Sequence, residues 1–151
     1  MEKSFESMKS AMENFKKAAI TLYLEERKVS EQSGVSLDTS IIPAIVLDAF
    51  SCELALKALA EKRGINAERS HLLDELFNKL PEADKNSISE KVIEILSERR
   101  KEYGKVEFNI CLKNVGKAFV DWRYYYENYR SIDLIFFLKF SMVVEKYVKT
   151  L

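Results

Sequence analysis

Glycine and proline are scarce in this chain, with four and two among 151 residues. So few turn formers cannot punctuate a fold of many short strands, which leaves a few long helices as the economical arrangement. Glycines as far apart as Gly34, Gly64, Gly104 and Gly116 cannot build a phosphate-cradling loop, and no nucleophile elbow is present. There is one histidine, His71, and there are two cysteines, Cys52 and Cys111. That set, spread along the chain, does not make a zinc site, and the cysteines read as small buried hydrophobes of a reducing cytosol. An excess of charge is missing too: Lys+Arg and Asp+Glu are both 24. The whole surface is therefore no electrostatic binder of nucleic acid, and such a role would need a local patch. The apolar run Leu134–Val144 is broken by Lys139 and is too short to span a bilayer. The N-terminal residues open an amphipathic helix and do not read as a signal peptide. The expectation is a cytoplasmic protein with no membrane partner and no cofactor.

What is present is helical periodicity. At 47% hydrophobic and 32% charged residues, the composition is that of one globular domain with a sizeable core. Phe5, Met8, Met12, Phe15, Ala19 and Leu22 draw one stripe, which predicts a helix over 5–27, followed by a polar connection over 28–39. A second helix is expected from Ile41 to Arg63, with Pro43 in its first turn and Gly64 just beyond its end. It is apolar nearly all round and should be the central helix. A short helix over 71–80, capped by Ser70 and stopped by Pro81, comes next. Ser87 and Glu90 stand at capping-box spacing, which predicts a helix over 87–103. Two more are predicted over 106–128 and from Ser131 onward. The expected fold is all-α, an antiparallel up-and-down bundle of four to five long helices plus one short helix.

Polar residues on such apolar helices carry the functional argument. Trp122–Asn128 sets Arg123 and Glu127 one turn apart among Tyr124 and other aromatic rings. One carboxylate cannot satisfy the five donors of a guanidinium, so Arg123 needs a further partner: another side chain, a second subunit or a phosphate. On the central helix Glu53, Lys57 and Glu61 fall on one line, with Asp48 and Ser51 on the other side. Glu53 and Lys57 fit either a solvated edge or a polar cluster with Arg123 or His71. His71 fits either a locally bonded first-turn residue or a general base or phosphate contact. The tyrosines of the C-terminal third suit core or interface packing, or stacking on bases. The basic run Arg99-Arg100-Lys101 reads as a solvated face.

Three segments in order resemble the HEPN domain family: Glu53-Leu54-Ala55-Leu56-Lys57, then His71-Leu72-Leu73 with Leu76-Phe77, and then Trp122-Arg123-Tyr124 with Glu127. The resemblance covers roughly residues 40–130. It implies a helical bundle that dimerises and takes part in RNA cleavage or nucleotide binding, often in toxin–antitoxin or phage-defence systems. Active members carry a His separated from the Arg by four to six residues. Here Asn128, Tyr129 and Arg130 occupy the corresponding positions, and none is a base like imidazole near neutral pH. The resemblance thus implies a non-catalytic dimer that binds a nucleotide, RNA or an antitoxin-like protein partner. Arg123, Glu127, Asn128, His71, Glu53, Lys57 and Tyr124 would form its polar site. The alternatives are a metal-independent ribonuclease toxin with an altered site, in which His71 replaces the missing base, and a purely structural interaction protein. The many apolar residues of the last helix, Ile135 to Val144, predict a homodimer through the C-terminal helices.

Overall fold

The computed structural model describes residues 2–33, 41–67, 69–116 and 133–151. Six helices are present among them and no strand: α1 (Glu2–Ser33), α2 (Ile41–Lys62), α3 (Leu73–Asn78), α4 (Glu82–Ser97), α5 (Lys105–Val115) and α6 (Leu134–Lys149). The protein is an all-α bundle, as the periodicity predicts. No helix among the described residues is long and apolar enough to cross a membrane.

α2 is the spine. Its alanines, Leu56, Leu59 and Cys52 are almost wholly buried, because α1, α3 and α6 all pack on it. α1 runs antiparallel to α2. Phe5 lies under Lys62, whose Nζ is 4.8 Å from the ring centroid, and Phe15 meets Phe50 edge-on at 4.6 Å. Phe77, Phe108, Phe136 and Phe140 join α3, α5 and α6 in one aromatic core, with Phe108 and Phe136 5.5 Å apart. Edge-to-face rings of this kind add to the burial they bring.

Several predicted boundaries move. α1 continues through 28–33, where a connection is expected, since nothing in that polar stretch breaks a helix. Gly64 does end α2, with φ 71°, the left-handed conformation that glycine adopts without strain. Ser70 does not cap the short helix. Its hydroxyl donates to Glu75 Oε2 (2.9 Å), and the first amide of α3, Leu73, donates instead to the Gly116 carbonyl at the end of α5 (3.0 Å). Ser87 lies inside α4, which begins at Glu82 directly after Pro81 with Glu82 and Asp84 in its first turn. Acids there complement the helix dipole and make a cap at Ser87 unnecessary. α4 also ends early, at Ser97, and the acid that receives an N-terminal amide is Glu107, which accepts from Gly104 N (2.9 Å).

α6 is better covered than the sequence suggests. Phe136, Phe137, Phe140 and Val144 are fully buried within one chain. Ile135 is exposed, and Leu138 and Met142 are only partly buried. The apolar surface left on this helix for a second copy is that smaller set.

Candidate functional site

Three of the sequence-predicted residues come together. Glu53 faces out of α2 toward the turn before α3, and its Oε1 lies 2.8 Å from Lys57 Nζ and 2.9 Å from His71 Nδ1. Lys57 stands one turn after Glu53 on the same helix, the spacing at which such side chains meet. His71 follows the segments 63–67 and 69–70 and is fixed by the bond from Leu73 N to Gly116 O. Glycine suits that closure, because a Cβ at Gly116 would force the Asp74 side chain to move. A carboxylate only accepts, so the ring hydrogen of His71 sits on Nδ1 and Nε2 is left as the acceptor of the neutral imidazole.

The three differ sharply in exposure: the Glu53 side chain is 2% accessible, Lys57 15% and His71 62%. A sealed acid thus orients an open imidazole. Among the described residues no donor reaches Glu53 Oε2, although that oxygen is itself buried. Buried carboxylate oxygens are normally satisfied. Beside the cluster, Ser4 and Met8 of α1 and Lys57, Glu61, Ile65 and Ala67 line a cleft of about 130 Å³. Arg123, Tyr124, Glu127 and Asn128, the other predicted site residues, lie outside the described residues. Among the described residues no group of three or more His, Cys, Asp or Glu is arranged to hold a metal ion.

A second polar cluster is sealed between α1, α2 and α6. Lys16 Nζ donates to Asp48 Oδ1 (2.8 Å) and Ser141 Oγ (3.3 Å) and lies 3.2 Å from Glu145 Oε2. Tyr23 donates to Asp48 Oδ2 (3.1 Å), and Ser141 donates to Asp48 Oδ1 (2.6 Å). Burial would lower Lys16, but the facing charges of Asp48 and Glu145 outweigh it and hold the ammonium above its ordinary value. Burial raises Tyr23, and the charge of Asp48 raises it further. Sequence reading placed Asp48 and Ser51 together but did not find Lys16, Tyr23, Ser141 or Glu145. The available signal was a lone acid, Glu145, on an otherwise apolar helix.

A third group ties α2, α4 and α6. Arg63 grips Asp84 with two bonds of 2.8 Å, and Tyr147 donates to the same acid (2.6 Å). The Arg63 bonds hold Asp84 below the usual carboxylate range against its partial burial.

Comparison with protein-family models, curated proteins and solved structures finds no match to this chain.

Proposed function

We propose that this chain is a HEPN-like helical module that binds a phosphate-bearing ligand, a nucleotide or RNA, at the Glu53–Lys57–His71 edge, and that it does so as a homodimer without cleaving it. The observation that carries this reading is the pinned histidine. Orienting a mostly exposed imidazole with a sealed carboxylate adds little to stability, but it fixes the direction in which Nε2 meets a ligand. The ammonium of Lys57, in the neighbouring cleft, supplies positive charge for a phosphate. The ordered resemblance of three segments to HEPN domains supports the same reading. It adds Arg123, oriented by Glu127, as the expected phosphate contact, with Asn128 and Tyr124 beside it. The missing His after Arg123 is the reason for expecting binding without cleavage.

The Glu53–His71 hydrogen bond favours one other reading, metal-independent RNA cleavage with His71 as the base. An acid that orients an imidazole through Nδ1 is the arrangement general-base catalysis uses. One experiment separates the readings. Titrate the parent protein with ATP and with a defined single-stranded RNA, and follow RNA integrity without metal, using Arg123→Ala and His71→Ala as controls. Binding of intact RNA or ATP, lost in either variant, is the expected result. Cleavage abolished by both substitutions would establish the ribonuclease instead. Neither binding nor cleavage by a folded protein would leave a structural interaction protein. Light scattering of the same sample at micromolar concentration tests the dimer, which a monomer would refute.

A further inference from the structure

Ser51 has one hydroxyl hydrogen and two oxygen neighbours. Its Oγ lies 2.8 Å from the Met12 carbonyl oxygen and 2.5 Å from Glu145 Oε1. A carbonyl oxygen can only accept, so where both contacts are hydrogen bonds the one Ser51 hydrogen goes to Met12. The contact with Glu145 then needs a hydrogen of its own, and Glu145 is the group that can carry it. Without one, two lone pairs would face each other at that distance.

The charges lead independently to the same place. Among the described residues the cluster joins one ammonium, Lys16, with two acids, Asp48 and Glu145. Asp48 accepts from Lys16, Ser141 and Tyr23 and is built to be a carboxylate. Glu145 meets Lys16 at one oxygen only. With a proton on Glu145 the sealed network is neutral. Without it, one net negative charge sits where Asp48, Ser51 and Ser141 are fully buried, and unpaired buried charge is strongly disfavoured.

We propose that Glu145 is a neutral carboxylic acid at neutral pH, and that its proton, donated to Ser51 Oγ, holds α1 against α2 and α6. The groups facing it are Lys16 and Tyr23 from α1 and Asp48, Ser51 and Cys52 from α2, with Ser141 on α6 itself. Burial pushes the Glu145 acid up and the charge of Asp48 adds to this, while the Lys16 ammonium and the Ser51 contact oppose it without cancelling it. Burial first, with the charge of Asp48 beside it, pushes the Cys52 thiol up. An acid raised above its ordinary 4.5 contributes stability that is fully present below that value and is lost as pH rises through its folded value. The hold on α1 therefore weakens as pH rises from that ordinary value to the folded one, by at most about tenfold per pH unit for one proton.

The test uses the whole protein with carbon-13-labelled glutamate. The Glu145 carboxyl resonance is assigned as the one missing from Glu145→Gln, and amide exchange protection along α1 is followed over the same pH series, corrected for intrinsic rates. The expected result is a neutral-acid resonance at neutral pH. α1 protection should fall as pH rises above the ordinary carboxylate value and level off once the resonance has moved to the carboxylate position, while Glu145→Gln, which keeps a donor and an acceptor, holds α1 at all pH values. A carboxylate resonance at neutral pH would overturn the proposal. So would α1 protection that falls with pH in Glu145→Gln as it does in the parent. Should the Gln variant fail to fold, through-bond assignment of the uniformly labelled parent identifies the Glu145 carboxyl resonance, and its position decides alone.

Discussion

The two acid-centred clusters on α2 each pair a buried acid with a lysine and differ in where their cations end. In the α1–α2–α6 cluster all the acids and hydroxyls are sealed, and even the lysine is mostly covered. In the Glu53 cluster the acid is equally sealed, but its histidine partner stands 62% open. A closed network fixes which helices pack together and in what register. A network with one open member fixes the direction of a group that meets solvent. The same pairing, turned by about 140° around the helix from Asp48 to Glu53, thus separates a cluster closed on itself from the one proposed to bind.

Substitutions can break or sharpen this contrast. The largest loss should follow Asp48→Ala, which leaves Tyr23 without its acceptor and Lys16 with Glu145 alone. A cost of about 3–5 kcal/mol in chemical denaturation is expected for breaking a buried pair. Gly116→Ala should cost about 1–3 kcal/mol, because the new methyl group must displace Asp74, and it should also shift the turn that carries His71. Measuring thermal stability and ligand affinity together would show both effects. Glu53→Gln should cost about 1–2 kcal/mol by denaturation, less than Asp48→Ala because Lys57 and His71 can both turn toward water. Equal losses for Asp48→Ala and Glu53→Gln would erase the distinction. Arg63→Leu should flatten the acid limb of the stability curve. Asp84, held below its ordinary 3.8 chiefly by Arg63, contributes stability above that pH that is lost as pH falls through its lower folded value. With Arg63 a third exposed, that contribution is about 1 kcal/mol or less. The smallest change in stability, within about 0.5 kcal/mol, should come from His71→Ala, the substitution expected to abolish binding.

Much of this was legible in the sequence. The stripe from Phe5 to Leu22 and the apolar circumference of Ile41–Ala60 gave α1 and α2 their roles, because helical period and burial are local properties. Glu53 and Lys57 were legible for the same reason: i,i+4 spacing on one helix brings side chains together whatever the tertiary fold. The link from His71 to Glu53 was named only as one alternative, since it depends on a turn that Gly116 closes from another helix. Ser70 misled because a serine before an apolar run reads as a cap, whereas a carbonyl distant in sequence takes that amide. Lys16 and Glu145 are far apart in sequence, and each alone reads as a surface charge. Only the crossing of α1, α2 and α6 puts them in one sealed space.

The cleft beside Lys57 takes one wall from α2 and the other from the first turns of α1, at Ser4 and Met8. A molecule lodged there would touch the same helix that the Glu145 proton holds. Proton and guest would then be linked ligands, and reciprocity binds them: the factor by which alkali weakens the guest is the factor by which the guest raises the proton affinity of Glu145. Adding guest to weakly buffered protein near the titration of Glu145 should therefore draw protons from solution, a signal that reports occupancy of the cleft without any label.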